Sequence, residues 1–172
     1  NKNFIILSLK SRIINLFLIV GVVEKTGLII QARMGSRRLP GKSNLRIRGK
    51  TVLNWVINTA KAIKGVDEII LATSEDNNCD CLEELAKKEG ISCVRGSEEN
   101  VLSRFVKAIN EFDLDNVIRI TGDDICHDPY LIEDSLKDFL YQNSDYLISS
   151  TKDYLLIDGL GFEIFKSNLL LN

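Results

Sequence analysis

The chain has 172 residues, which is enough for one domain with a substantial core and too few for two full domains. Hydrophobic residues make up 45% and charged residues 27% of the chain, a balance typical of soluble globular proteins. The formal net charge of −2 provides no global positive field, so the composition argues against a nucleic-acid-binding protein.

The first residues form an apolar segment that precedes the regular pattern. Its longest uninterrupted apolar run, residues 16–23, is shorter than the roughly 20 residues of a membrane span, and no small-residue cleavage site follows it. Three interpretations remain open: an interfacial amphipathic helix, a packing or oligomerisation arm, and translated upstream sequence that is not part of the native protein. The first two dozen residues therefore stay separate from the fold prediction.

From Thr26 onward, predicted strands and helices alternate. Short apolar runs predict strands over residues 26–32, 67–73, 91–94, 116–121, 145–149 and 161–165. Amphipathic patterns with capping residues predict helices over residues 51–64 and 77–89, a helix that opens at Ser97, and a helix from Pro129 to about Tyr141. This alternation predicts a three-layer α/β/α fold with a mostly parallel sheet.

Ligands of such sheets bind beyond the carboxyl ends of the strands, so we expect the chemistry in the loops that follow them. These loops cover residues 33–42, 73–78, 95–100 and 122–128. The first, QARMGSRRLPGK, has two glycines, a proline and four cations: Arg33, Arg37, Arg38 and Lys42. Glycines let backbone amides approach an anion, arginine contacts phosphate in bidentate fashion, and lysine adds a mobile charge. We predict a polyphosphate cradle, with a solvated basic loop as the alternative.

Two carboxylates, Asp123 and Asp124, follow the fourth predicted strand. Mg²⁺ is typically held by one or two protein carboxylates together with phosphate oxygens. The position of Asp123 at a strand end, beside the predicted phosphate loop, favours it as a Mg²⁺ ligand. The alternative is that both aspartates only cap a turn, as Asp128 is predicted to cap the next helix.

The cysteines do not form a metal-binding motif. None belongs to a C-x-x-C pair, and the single histidine, His127, adjoins Cys126 without the paired spacing that a zinc site needs. We interpret the four cysteines as reduced thiols, which predicts a cytoplasmic protein.

A family resemblance is carried by four segments in chain order: IIQARMGSRRLPGK, LATSEDNNCDCLEELAKKEGI, VRGSEENVLSRFVKAI and VIRITGDDICHDP. They resemble the cytidylyltransferases that include spore coat polysaccharide biosynthesis proteins and, more distantly, the ketodeoxyoctonate and acylneuraminate cytidylyltransferases. The resemblance implies a Rossmann-like fold of the nucleotide-diphospho-sugar transferase type. We therefore divide the chain into an N-terminal apolar extension of doubtful status (residues 1–25) and a nucleotidyltransferase domain, incomplete at its C-terminus (residues 26–172).

The resemblance also implies roles for the matched side chains. The triphosphate would contact Arg33, Ser36, Arg38 and Lys42, and the nucleobase and ribose would lie near Ala72, Thr73, Ser74 and Arg95. Ala32 would also belong to the nucleotide-binding set. The catalytic set would be Arg33, Lys42 and Asp123, with Mg²⁺ on Asp123 and sugar hydroxyls on Glu163. The chain departs from the family at Arg37, where relatives usually have Thr, and at three positions where they usually have Asp: Asn100, Ser103 and Gly161.

The implied function is transfer of CMP from CTP to a sugar, predicted to be acidic, with release of pyrophosphate in cell-surface polysaccharide biosynthesis. The partners would be CTP and a small sugar, with no nucleic acid and no membrane span. Relatives are commonly dimers, so a homodimer is an open prediction. Two alternatives remain: a metal-dependent glycosyltransferase of the same architecture and a catalytically silent nucleotide-binding module.

The ends of the sequence predict a fragment. The chain does not begin with Met, and it stops inside an apolar run after Phe165. Relatives use a second metal-binding aspartate in a later block that does not follow here. We therefore expect this chain to bind CTP weakly and turn over little, and a longer parent protein to be active.

Overall fold

The computed structural model describes residues 24–36, 38–149 and 160–171. Its strands are β1 (Thr26–Gln31), β2 (Arg46–Ile47), β3 (Lys50–Thr51), β4 (Glu68–Ser74), β5 (Ser92–Gly96), β6 (Asn116–Thr121), β7 (Tyr146–Ile148) and β8 (Glu163–Lys166). Its helices are α1 (Val52–Ala62), α2 (Asp80–Glu89), α3 (Val101–Phe112), α4 (Pro129–Tyr141) and α5 (Asn168–Leu171), with short 3-10 turns at Lys42–Asn44 and Asn77–Cys79.

Six strands form one mostly parallel sheet in the order β5-β4-β1-β6-β8-β7, and β2 and β3 form a separate two-stranded ribbon. The first four strands of that order run parallel, whereas β8 is antiparallel to both β6 and β7. The pairing places Gln31 beside Ala72 in β4 and beside Thr121 in β6. The carboxyl ends of the parallel strands therefore meet at one edge of the sheet.

Alternating side chains of β1 divide the core between the two faces of the sheet. Leu28 and Ile30 pack with apolar residues of α1, α2 and α4, whereas Ile29 packs with residues of α3. All three of these β1 side chains are completely buried. The predicted three-layer α/β/α architecture with a mostly parallel sheet is confirmed.

Local capping explains where most helices begin and end. Thr51 and Asn54 form a reciprocal capping box at the start of α1, and the side chain of Asp128 accepts from Tyr130 N at the start of α4. Gly90 ends α2 in the left-handed conformation, at φ 67°. The predicted opening of α3 at Ser97 was wrong, because α3 begins at Val101. The Ser97 hydroxyl instead accepts from the backbone of Asn100, which is the actual cap.

Of the predicted N-terminal extension, the structure describes only Glu24 and Lys25, since residues 1–23 lie outside the described residues. Asn116 Nδ2 donates to Glu24 at 2.9 Å, and Lys25 N donates to Asp115 at 2.7 Å. Glu24 and Lys25, the last two residues of the predicted extension, thus contact the first residue of β6 and the residue before it. Within the described ranges, no helix combines the length and hydropathy needed to cross a membrane.

Candidate active site

A polar cavity of about 500 Å³ opens at the carboxyl ends of β1 and β6. Its lining consists of Gln31, Ala32, Arg33, Ser36, Arg38, Lys42, Ser43, Thr121, Asp123 and Asp124. All the residues predicted to contact phosphate line this cavity together with Asp123, while Arg37 lies outside the described residues. The pairing of Gln31 with Thr121 explains this convergence, because the loops after β1 and β6 leave the sheet side by side.

The loop after β1 folds back on itself. The carbonyl oxygen of Met34 accepts from Ser36 N at 2.9 Å and from Gly41 N at 3.0 Å. Gly41 has φ 71°, a left-handed conformation that residues with a Cβ adopt at a cost. The following 3-10 turn starts at Lys42. The turn at Gly41 therefore places the lysine at the cavity wall rather than along an extended loop.

Lys42 and Asp123 form an ion pair inside the cavity. Their side chains are 29% and 30% exposed, so both remain accessible to a ligand. Gly122 places Asp123 close to the β1 loop, since its backbone N–H donates to Gln31 O at 2.8 Å. A Cβ at position 122 would lie 2.6 Å from Ala32 Cβ, so only glycine fits this approach without a shift.

A second ion pair joins Arg33 to Glu98, which follows β5. Arg33 Nη1 donates to Glu98 Oε1 at 3.0 Å and to the Glu98 carbonyl oxygen at 3.1 Å. Glu98 was missed by the sequence prediction, although it lies in a loop that was expected to carry chemistry. Both of these bonds come from Nη1, so the guanidinium keeps further donors for a ligand.

The residues predicted around the nucleobase and ribose have different surroundings. Ala72, Thr73 and Ser74 are completely buried at the end of β4 and do not line the cavity. Arg95 forms ion pairs with Glu83 and Asp80, and donates to the carbonyl oxygens of residues 74 and 76. Its hydrogen bond with Glu83 raises the pKa of Arg95. The nucleoside role of these four residues remains a prediction.

Glu163, predicted to contact the sugar, lies beside Arg119 on β6. Arg119 Nη1 donates to Glu163 at 2.7 Å, and Arg119 Nε and Nη2 donate to Gln31 Oε1 at 3.2 and 3.1 Å. Arg119 and Glu163 line two further cavities, of about 200 and 590 Å³. Gln31 lines both the larger of these and the polar cavity at the ends of β1 and β6. The sequence signal for Arg119 was a cation within an otherwise apolar strand.

The donors present suit a hard divalent cation that shares its ligands with phosphate. In the described part of the chain, no three His, Cys, Asp or Glu side chains are grouped so that they could hold a metal ion. His127 Nε2 lies 3.0 Å from the carbonyl oxygen of Gly161, and Cys126 is exposed. Asp123 and Asp124 line the cavity together with the cations, and one or two carboxylates are what Mg²⁺ takes from a protein when phosphate oxygens complete its shell.

Comparison with known proteins gives consistent matches. A protein-family profile described as Cytidylyltransferase matches residues 28–170. The spore coat polysaccharide biosynthesis protein SpsF of Bacillus subtilis is 37% identical over 150 residues, which are 84% of this chain and 60% of that protein. The 8-amino-3,8-dideoxy-manno-octulosonate cytidylyltransferase of Shewanella frigidimarina is 31% identical over 143 residues, 81% of this chain and 54% of that enzyme.

A solved cytidylyltransferase structure from Leptospira borgpetersenii has a TM-score of 0.81 and 34% identity, covering 86% of this chain and 63% of that one. The chain thus spans less than two thirds of each of these proteins.

Proposed function

The chain belongs to the cytidylyltransferase family, and from this premise we propose that it transfers CMP from CTP to a hydroxyl of an acidic sugar and releases pyrophosphate. The observation that carries the proposal is the cavity in which Arg33, Arg38 and Lys42 face two aspartates. Its position at the carboxyl ends of parallel strands is where α/β sheets bind phosphates. By analogy with SpsF, we place the reaction in cell-surface polysaccharide biosynthesis.

The three cations would hold the triphosphate and stabilise its charge as the sugar hydroxyl attacks the α-phosphate. The bond between the α-phosphorus and the oxygen that bridges to the β-phosphate breaks, the β- and γ-phosphates leave with its electron pair as pyrophosphate, and the hydroxyl proton passes to solvent. No covalent intermediate with the protein is needed, so the protein acts by positioning and by charge stabilisation. Of the three cations, we expect Lys42 to contribute most to turnover, because it starts a 3-10 turn that fixes its position in the cavity lining.

We assign the divalent cation, Mg²⁺ by its preference for carboxylate and phosphate oxygens, to Asp123, with Asp124 beside it. When bound, the cation neutralises the triphosphate and the charge that develops at the α-phosphate. Lys42 forms an ion pair with Asp123. A triphosphate that takes up Lys42 therefore leaves the carboxylate of Asp123 available.

The acceptor sugar is proposed to bind next to the phosphate cavity, at Arg119, Glu163 and Gln31. Arg119 offers a guanidinium that suits a sugar carboxylate, and Glu163 offers oxygens that suit sugar hydroxyls. Gln31 borders both cavities, so a sugar bound there would reach the phosphate without crossing the sheet. An octulosonate, the substrate class named for the Shewanella relative, has both groups.

The decisive experiment measures pyrophosphate release under single-turnover conditions, with protein in excess so that slow turnover is visible. Each of the four ribonucleoside triphosphates is combined with Mg²⁺ and a panel of acidic sugars that includes 3-deoxy-manno-octulosonate. We expect release only with CTP, Mg²⁺ and one class of acidic sugar. Consumption of a CMP-sugar without pyrophosphate would indicate the glycosyltransferase alternative, and CTP binding without any product would indicate the silent module.

We also propose a cytoplasmic location and a homodimer. The four cysteines of the chain are all free, which suits a reducing compartment where CTP is available. Cell fractionation tests the first proposal. Sedimentation of the purified chain tests the second, and a single monomeric species over the micromolar range would contradict it.

A further inference from the structure

Arg104, in the first turn of α3, is a cation that the proposed mechanism does not use. Its side chain is completely buried. Among the described residues, none of its three guanidinium nitrogens has a hydrogen-bond partner. An unpaired charge away from water is strongly unfavourable, so a buried arginine of this kind needs a counter-charge nearby.

Glu98 is that counter-charge. One of its carboxylate oxygens accepts from Arg33, while the other, Oε2, is buried and lacks a hydrogen-bond partner in the described part of the chain. Burial lowers the pKa of Arg104, and the charge of Glu98 opposes that shift, whereas Arg33 reinforces it and Cys79 opposes it. Glu98 is thus shared electrostatically by one guanidinium at the cavity and one in the interior.

Two glycines make room for this arrangement. A Cβ at Gly96, the last residue of β5, would lie 3.0 Å from Arg104 Cγ. A Cβ at Gly35, in the phosphate loop, would overlap Glu98 Oε1. The backbone therefore comes close to both side chains.

We propose that Arg104 is a positioning residue for nucleotide binding, which neutralises Glu98 from the interior so that Glu98 can hold Arg33 without cancelling its charge. Two guanidinium groups around one carboxylate leave a net positive charge at the cavity wall. Without Arg104, the pair of Arg33 and Glu98 is neutral, and the carboxylate repels an incoming triphosphate. This inference rests on the proposed function of the loop as a triphosphate site.

A double-mutant cycle tests the inference in the full chain, with R104M, E98Q and the combined R104M/E98Q variant. Methionine keeps the length and apolar stem of the side chain and removes its charge. The probe is inorganic triphosphate, whose Kd is measured by calorimetry. We expect R104M to weaken binding about tenfold, the scale of coupling between interacting charged groups, and E98Q to bind at least as tightly as the unmodified chain.

The decisive outcome is rescue. The combined variant should return to within about threefold of the unmodified chain, because it leaves the charge of Arg33 unopposed and so restores the net positive charge at the cavity wall. R104K keeps the charge, so its Kd for inorganic triphosphate should be close to that of the unmodified chain. K87M removes an exposed cation on α2 and is the control for a change in net charge. A combined variant as weak as R104M, or an R104M that binds normally, would overturn the proposal.

Folding is followed by the thermal midpoint of each variant. If R104M alone does not fold, the combined variant should fold, because it buries no unpaired charge, and its failure to do so also overturns the proposal. Inorganic triphosphate has neither base nor sugar, so this cycle is independent of CTP specificity. Failure of the proposed function is read separately, from pyrophosphate release with CTP.

Discussion

The phosphate half and the predicted nucleoside half of the site are built differently. In the phosphate half, the loop after β1 and the residues after β6 direct charged side chains into one cavity. In the nucleoside half, Ala72, Thr73 and Ser74 are completely buried, and Arg95 is engaged by carboxylates of α2 and by backbone carbonyls. Charged side chains thus form the wall of the phosphate half, whereas the predicted nucleoside half presents mainly backbone groups to a ligand.

This difference has a direct consequence for mutagenesis. On the proposed function, removing Arg33, Lys42 or Asp123 from the phosphate half would remove a contact with the triphosphate or a metal ligand. Removing Arg95 only loosens the backbone that it holds, since its guanidinium donates to the carbonyl oxygens of Ser74 and Asp76. Substitutions in the phosphate half should therefore lower activity more than substitutions in the predicted nucleoside half.

The largest effect is expected from Asp123→Asn, which keeps the shape of the side chain and removes its charge. Mg²⁺-dependent pyrophosphate release should be abolished, while weak nucleotide binding without metal remains. Single-turnover assays and calorimetry without Mg²⁺ measure the two quantities. Asp124→Asn is the matched control and should retain most of the rate. Full activity of Asp123→Asn at ordinary Mg²⁺ would show that Asp123 only caps a turn.

Lys42→Ala should lower turnover by about 10²–10³, the scale for the loss of one transition-state charge partner. The thermal midpoint should barely move, because a partly exposed ion pair contributes at most about 1 kcal/mol to the free energy of unfolding. Lys137→Ala removes a cation from an exposed ion pair on α4 and is the control for a general loss of charge. Unchanged turnover in Lys42→Ala would remove Lys42 from the site.

Arg95→Gln tests the nucleoside half directly. We expect the Kd of CTP to rise about tenfold, as several charge-assisted bonds to the backbone after β4 are lost, while the Kd of inorganic triphosphate stays unchanged. The comparison of these two ligands separates nucleoside from phosphate contacts. An equal loss of affinity for both ligands would place Arg95 in the phosphate half and end the distinction between the halves.

The smallest effect is expected from Asn100→Asp, which introduces the residue usual in relatives. Asn100 caps α3 by accepting from Ser103 N at 3.0 Å, and Asp caps equally well while its charge suits a helix N-terminus. The thermal midpoint should stay the same or rise slightly, and pyrophosphate release should change by less than about threefold. A large change in CTP affinity would show that this side chain, and not only the backbone, recognises the nucleoside.

The sequence predicted the elements whose signals are local. The strand over residues 116–121 and the helix that ends at Tyr141 were predicted with their observed bounds, because a buried apolar run marks the first and an Asp-Pro cap marks the second. The predicted start of α3 was wrong. Serine is a common capping residue, but the Ser97 hydroxyl accepts from the backbone N–H of Asn100, which is the residue that caps the helix. Short-range hydrogen bonds of this kind compete with helix capping and are not visible in a pattern.

The candidate site was predictable where charges cluster along the chain and not where the fold brings them together. Arg33, Arg38 and Lys42 stand in one loop, so their convergence needed only the position of β1. The contacts of Arg33 with Glu98 and of Arg119 with Glu163 join residues 65 and 44 positions apart. The sequence analysis made no prediction for Arg104, because no local pattern marks a buried arginine, and only the packed structure reveals its burial.

The Lys42–Asp123 ion pair has a consequence for the order in which ligands bind. Each partner neutralises the other. On the proposed assignments, a metal ion alone would have to displace the lysine from Asp123, and a nucleotide alone would have to displace the aspartate from Lys42. Metal and nucleotide together would engage both side chains at once, so we expect their binding to be positively cooperative by thermodynamic linkage. The chain should therefore titrate as a receptor for the metal–nucleotide complex, with each component raising the affinity for the other by the same factor.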